Sequence, residues 1–209
     1  MKKEELNLYL VTDRGLAGDR AIEDIVKEAA EGGVTMVQLR EKNISTRDFI
    51  TLALKLKDTL RPYGVPLIIN DRVDVALAAD ADGVHIGQSD MPYAMARKLL
   101  GPDRIIGLSV ENFDQIEEAN ALDVDYIGVS PVFATPTKTD TAEPFGLDGL
   151  RKAVNMSVHP TVAIGGMNER TAADVMACGT DGIAVVSAIV CAPDPKESSK
   201  NLLQIIRGK

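Results

Sequence analysis

The 209 residues predict an α/β fold, a single (β/α)8 or TIM barrel domain covering positions 1–209. Three observations carry that prediction. Short β-rich runs recur along the chain, and each is followed by a stretch in which apolar residues return at helical spacing. Most of these runs are nearly continuous in apolar residues rather than alternating, which is the pattern of parallel strands covered by helices. Three strand starts also look alike, "ADADGVHIG", "ALDVDYIGVS" and "CGTDGIAVV", each a helix end followed by Asp or Gly and an apolar strand. That is the weak internal repeat of a βα solenoid closed on itself.

The elements follow in order. LNLYLVTD from Leu6 leads into a helix over Asp19 to Glu31, and TMVQLR from Thr35 into one over Ser45 to Leu60. PLIIN from Pro66 precedes Val73 to Ala79, GVHIG from Gly83 precedes Tyr93 to Leu100, and RIIGLSV from Arg104 precedes Phe113 to Ala121. YIGVSPVF from Tyr126, TVAIGG from Thr161 and GIAVVSAI from Gly182 precede helices over Leu147 to Val154, Glu169 to Ala177 and Pro195 to Ile206. The alternative is a doubly wound open sheet, which usually has five or six strands. Its dinucleotide-binding form carries a G-x-G-x-x-G turn after the first strand, and "VTDRGLAGDR" lacks that spacing.

One stretch, "SPVFATPTKTDTAEPFG" from Ser130, reads either as a linker between domains or as a loop built for chemistry. The βα count resumes on its far side, so no boundary falls there. It accounts for the 35 residues between the starts at Tyr126 and Thr161, where the first two intervals are about 30 and the three just before it near 20. Long ordered loops in compact domains are usually lids or binding loops, and this one is expected to fold over the barrel mouth.

Hydrophobic residues at 45% and charged residues at 26% place the chain among ordinary globular proteins. The net charge of −8 argues against a nucleic-acid or anionic-membrane surface, so an anionic ligand must be met by local cations or a metal. Cys178 and Cys191 lie in Ala-rich apolar surroundings, form no metal pattern, and are expected to be buried free thiols. The N-terminal residues lack the apolar segment of a secretory signal, and the longest apolar run, Gly182 to Ala192, is too short for a bilayer. A cytoplasmic protein is expected.

A barrel builds its active site at the C-terminal ends of its strands. "QLREK" sets Gln38, Arg40 and Lys42 at alternate positions, so their side chains share a direction and suggest an anion. The plainer reading is two solvated cations paired with Glu31 or Glu41. Asp71 and Asp90 follow strands three and four and offer two carboxylates to one point, which suits Mg²⁺ beside a diphosphate. Both also precede helices, where Asp is a favoured cap. "AIGGMNERTAADV" ends a strand in Gly165 and Gly166, with Asn168 placed to cap the next helix, while "VVSAI" supplies Val186 and Ser187. Backbone N–H groups there would bind phosphate; a tight turn that needs glycine is the competing account. His85 in GVHIG and His159 before Pro160 each read as a lone, structural His, and no Ser-His-Asp or Cys-His set is expected at matching strand ends for acyl transfer. Paired-carboxylate glycosidase chemistry is not excluded by Asp71 and Asp90, but neither has an obvious apolar pocket in the sequence to raise its pKa.

"LYLVTDR", "VQLREKN", "LIINDRVDVALAADADGVHIGQSDMP", "IGLSVEN", "GVSPVFATPTKTD", "PFGLDGL" and "VAIGGMNERTAADVMACGTDGIAVVSAI" resemble, in order and across nearly the whole chain, the thiamine phosphate synthase family. The resemblance implies a (β/α)8 barrel that joins 4-amino-2-methyl-5-hydroxymethylpyrimidine diphosphate to 4-methyl-5-(2-hydroxyethyl)thiazole phosphate with one Mg²⁺, by a dissociative route through a pyrimidine carbocation. It implies that Gln38, Leu39, Arg40, Glu41, Lys42 and Asn70 bind the pyrimidine diphosphate, that Asp71 and Asp90 hold the metal, and that Ser109 contacts the pyrimidine. Thr135, Pro136 and Thr137 would meet the thiazole phosphate, as would Gly166, Val186 and Ser187, and Lys138 would meet the diphosphate. Arg40, Lys42, Ser109 and Lys138 are the expected catalytic groups, the cations acting on the departing diphosphate.

Ser130 and Ala134 stand where the family often has Gly and Pro, and "ALAADAD" lacks a frequent Gly, departures that touch loop geometry alone. A related thiazole tautomerase uses a His on the strand corresponding to Tyr126 to Phe133, where this chain has none. A non-catalytic phosphate-binding barrel is the remaining alternative. Partners are small phosphorylated substrates, with a small homo-oligomer as a further expectation.

Overall fold

The computed structural model describes residues 1–134 and 143–208. Eight parallel strands close into a barrel in sequence order, with β1 (Leu8–Val11) pairing both β2 (Met36–Leu39) and β8 (Gly182–Val185). Between them run β3 (Leu67–Asn70), β4 (Gly83–Ile86), β5 (Ile105–Val110), β6 (Tyr126–Val129) and β7 (Thr161–Ile164). Helices α1 (Ile22–Glu31), α2 (Thr46–Leu60), α3 (Val73–Ala78), α4 (Tyr93–Leu100), α5 (Phe113–Asn120), α6 (Gly146–Met156) and α7 (Ala172–Met176) follow the first seven strands. Two helices follow β8, a short α8 (Ser187–Val190) and the longer α9 (Pro195–Ile206). Single 3₁₀ turns lie at Lys3–Leu6 and Arg61–Tyr63.

Alternation along each strand splits the core in two. Outward side chains such as Leu8, Leu10 and Leu39 pack against the helices, while inward ones such as Tyr9, Met36, Ile68 and Tyr126 fill the barrel. Because both strand faces are buried, the strands read as continuous apolar runs.

The strand-start repeat has a physical cause at the N-terminal face of the barrel. Asp82, Asp125 and Asp181 each accept the amide of a residue on the preceding strand, Leu67, Ile106 and Thr161 respectively, at 2.8 Å. Each returns its own amide to that same residue's carbonyl. Thr35 does the same for Leu8 through its hydroxyl at 2.9 Å. The β1–β2, β3–β4, β5–β6 and β7–β8 pairs are thus fastened alike at their starts, which satisfies backbone groups where no further strand residue can.

Several boundaries depart from the sequence expectation. β6 ends at Val129 rather than Phe133, since Pro131 follows and has no N–H for the ladder. Beyond it, the amides of Val132 and Phe133 turn to the carbonyls of Ile164 and Gly165. The expected continuation of β8 through Ile189 is helical from Ser187, because Val186 (φ −116°, ψ −85°) breaks the strand. α1 starts at Ile22 and α7 at Ala172, each after a turn that the apolar periodicity did not reveal. Cys178 is buried as expected, but Cys191 is exposed, since it caps α8 on the outer surface.

Candidate active site

A cavity of about 740 Å³ opens at the C-terminal ends of the strands. Gln38, Arg40, Lys42, Asn70, Asp71 and Asp90 line one side of it, and Ser109, Gly166, Val186 and Ser187 the other strand ends.

The cations come from the end of β2. The Arg40 amide donates to the Thr12 hydroxyl at 3.0 Å, and its guanidinium donates to Asp13 at 3.0 Å. Lys42 Nζ meets Asp71 Oδ2 at 2.5 Å. Neither cation pairs with Glu31 or Glu41, which are taken by Lys196 and Arg14. Alternation therefore aims Arg40 and Lys42 into the cavity. It also turns Leu39 outward into the core against the helices, and Glu41 lies in a forked pair with Arg14.

The two carboxylates are not helix caps. Arg72 is the N-cap of α3 and Pro92 that of α4, and neither Asp71 nor Asp90 caps an amide there. Asp71 instead stands at φ +61°, with the Arg72 amide bonded to the Asn70 carbonyl across it at 2.7 Å. This is an i to i+2 turn of the strained hand, a conformation that costs of order 1–3 kcal/mol and clusters at functional sites. Asp90 Oδ2 accepts the Gly87 amide at 2.7 Å. Burial pushes the Asp90 carboxyl above its ordinary range, and the neighbouring Asp71 charge pushes the same way against the pull of the Gly87 amide and Lys42. Two carboxylates that repel each other across a partly buried gap suit a divalent cation. Among the described residues no third acidic, His or Cys side chain joins them. A cation there would complete its shell with water and substrate oxygens, the habit of Mg²⁺.

The loop after β7 and the turn after β8 face the same cavity. Gly165 (φ +102°) and Gly166 (φ +75°) take left-handed conformations, and a Cβ on either would press to 2.9 Å on Pro131 or Phe133. Close approach of the β6 exit thus adds to the need for glycine. The Gly166 carbonyl is held by the Asn168 amide group at 3.0 Å and the Thr171 hydroxyl at 3.1 Å. Asn168 organises this turn, accepting the Arg170 amide, and Thr171 rather than Asn168 is the N-cap of α7. Val186 is the N-cap of α8, so its neighbour Ser187 opens that helix toward the cavity.

Below these groups a polar chain crosses the barrel. Gln38 Nε2 donates to Tyr9 Oη at 2.8 Å, Tyr9 Oη meets Tyr126 Oη at 2.8 Å, and Tyr126 Oη meets His85 Nδ1 at 3.0 Å. His85 Nε2 lies 2.8 Å from Ser109 Oγ. Burial raises the pKa of both tyrosines far above their ordinary range, so the hydroxyls stay protonated.

Thr135, Pro136, Thr137 and Lys138, with the lid role expected of their loop, lie outside the described residues. Sequence reasoning left His85 as a lone histidine and gave no role to Thr12, Asp13, Tyr9 or Tyr126, all of which line the cavity. Thr12 and Asp13 were readable as the polar end of the first strand. The tyrosines were not, because inward aromatic residues on a strand look like core.

A family model described as "Thiamine monophosphate synthase" matches residues 8–189. The chain is 54% identical over 206 residues to the thiamine-phosphate synthase of Albidiferax ferrireducens, covering 99% of this chain and 94% of that one. It is 55% identical over 202 residues to the enzyme of that name from Vibrio campbellii, covering 96% and 98%. Among solved structures, a thiamine phosphate pyrophosphorylase from Pyrococcus furiosus superposes with a TM-score of 0.91 at 41% identity, covering 99% and 98%. With a (β/α)8 barrel and a polar cavity at its C-terminal mouth, the chain belongs to the thiamine monophosphate synthase family.

Proposed function

We propose that the mouth cavity carries out the family's reaction through the residues that line it. The chain is a transferase of thiamine biosynthesis, condensing a pyrimidine diphosphate with a thiazole phosphate to give thiamine phosphate and diphosphate. One observation supports the assignment of roles above the rest: Arg40, Lys42, Asp71 and Asp90 share one cavity with the glycine turn after β7.

In this reading Gln38 and Ser109 hold the pyrimidine ring, and Arg40, Lys42, Asn70 and Lys138 hold its diphosphate. Leu39 and Glu41 take part through their backbone, since their side chains turn away. Thr135, Pro136 and Thr137, with amides at Gly166, Val186 and Ser187, hold the thiazole phosphate. Asp71 and Asp90 fit one Mg²⁺ per subunit, which when bound neutralises charge developing on the departing diphosphate. The pyrimidine C–O bond breaks first, leaving a delocalised carbocation that the thiazole nitrogen attacks. Arg40, Lys42 and Lys138 stabilise the leaving group as its charge grows, and no general base is required. Holding both substrates in one closed site supplies much of the remaining acceleration and keeps water from the cation.

The chain is further proposed to work as one catalytic unit in the cytoplasm, associated as a small homo-oligomer. Among the described residues no helix is long and apolar enough to cross a membrane. Incubating both phosphorylated substrates with Mg²⁺ should yield thiamine phosphate. Lys138→Ala and Asp71→Ala should each abolish turnover while keeping the native circular dichroism spectrum, and near wild-type product formation by either would remove that residue from the mechanism.

A further inference from the structure

The polar chain beneath the cavity joins the two residues read above as holding the pyrimidine. Gln38 is on β2 and Ser109 on β5, and the chain between them runs through β1, β6 and β4. Tyr9 and Tyr126 are at most 1% exposed. Their rings meet edge to face with centroids 5.9 Å apart, and His85 stacks on Tyr126 at 5.5 Å. Space for this packing comes from two strand glycines. A Cβ at Gly107 would collide with Tyr126 and His85, and one at Gly128 would press to 3.2 Å on the His85 ring. Glycine inside a strand weakens it, so its presence marks close approach by another group.

The chain has a direction. An amide nitrogen can only donate, so Tyr9 Oη accepts from Nε2 of Gln38, and among the described residues the one acceptor within reach of the buried Tyr9 hydrogen is Tyr126 Oη. Tyr126 then gives its hydrogen to Nδ1 of His85, which fixes the histidine hydrogen on Nε2 and aims it at Ser109 Oγ. Ser109, already accepting, has its hydrogen left for the cavity, while Gln38 has its carbonyl oxygen left there, beside its second amide hydrogen. One end offers an acceptor and the other a donor. An aminopyrimidine presents the complement, an amino group that donates and a ring nitrogen that accepts. An oxopyrimidine reverses both, since its exocyclic oxygen accepts and a ring nitrogen carries hydrogen.

We propose that Tyr9, Tyr126 and His85 are positioning residues that couple Gln38 to Ser109 and thereby select an aminopyrimidine over an oxopyrimidine substrate. The proposal rests on the reading that the pyrimidine ring lies at Gln38 and Ser109. Turning the Gln38 amide over would require every hydrogen in the chain to reverse, so neither end adapts alone. Phenylalanine in place of either tyrosine keeps the packing and cuts the chain, freeing each end to suit the wrong ring.

The test compares kcat/KM for 4-amino-2-methyl-5-hydroxymethylpyrimidine diphosphate with that for its 4-oxo counterpart in wild type, Tyr9→Phe, Tyr126→Phe and the double variant. The preference for the amino substrate should fall about tenfold in each, the order carried by one hydrogen bond, with KM for thiazole phosphate unchanged. A wild-type preference in all three variants overturns the relay. Gln38→Ala and Ser109→Ala separate the two ways of failing. If they raise KM for the pyrimidine diphosphate while the Phe variants keep the preference, the relay alone has failed; if they leave that KM unchanged, the pyrimidine lies elsewhere and both readings fall. Nitrogen NMR of the His85 ring in the wild-type protein checks the direction even if a variant misfolds. Hydrogen on Nε2 supports the relay, and hydrogen on Nδ1 overturns it.

Discussion

Two aspartates held at positive φ show how much one residue's backbone can decide. Asp71 at φ +61° is aimed into the cavity by the strained turn between Asn70 and Arg72. Asn tolerates that conformation better than Ala, so Asp71→Asn should fold as the wild type does and lose most turnover, as expected if Asp71 holds the proposed Mg²⁺. Asp71→Ala should unfold about 1 kcal/mol more easily than Asp71→Asn, as read by urea titration. Asp80 at φ +50° has no contact with the cavity. Hydrogen bonds from Lys57 and then Arg104 draw its pKa from 3.8 to about 2. A depressed folded pKa stabilises above the unfolded value and loses that contribution as pH falls through the folded one. Stability should therefore drop between about pH 4 and pH 2 through this group, and Asp80→Asn should flatten that part of the profile. Because Asp80 is exposed, added salt should shrink the difference.

At the scale of elements, the repeat that announced the barrel in the sequence turned out to fasten it. Asp82, Asp125 and Asp181 each close the start of a strand pair, and Thr35 does so for the first pair. Removing one such acceptor strands a partly buried amide. Asp82→Ala should cost about 1–2 kcal/mol of unfolding free energy, and Asp82→Asn, which keeps an acceptor oxygen for the Leu67 amide, should recover most of it. Helix ends with ordinary cap chemistry were legible too. Asp194 accepts the Glu197 amide at 2.9 Å with Pro195 in the first turn, and α9 begins where the sequence put it. α1 and α7 start later than expected because turns precede them, and hydrophobic spacing does not register a turn.

For the whole molecule, a net charge of −8 must be overcome locally at the mouth, where Arg40 and Lys42 gather beside Asp13 and Asp71. Capture of two phosphorylated substrates should accordingly weaken with salt. Raising ionic strength from about 0.05 to 0.5 M should increase both KM values several-fold with less effect on kcat, and flat KM values would argue against steering by these cations. The eight βα units, their parallel order and the strand ends that carry Arg40, Lys42, Asp71 and Asp90 were legible in the amino-acid order, because strand and helix periodicity and the polarity of strand ends are local properties. The sequence left open whether Asp71 and Asp90 were caps and whether Arg40 and Lys42 pointed to solvent, since each depends on a neighbour distant in the chain. Tertiary structure alone decided those points and assembled the Tyr9, Tyr126 and His85 chain. Closing the barrel brings residues from β1, β4 and β6 within hydrogen-bonding distance across its interior, and no periodicity along one strand records what lies opposite it.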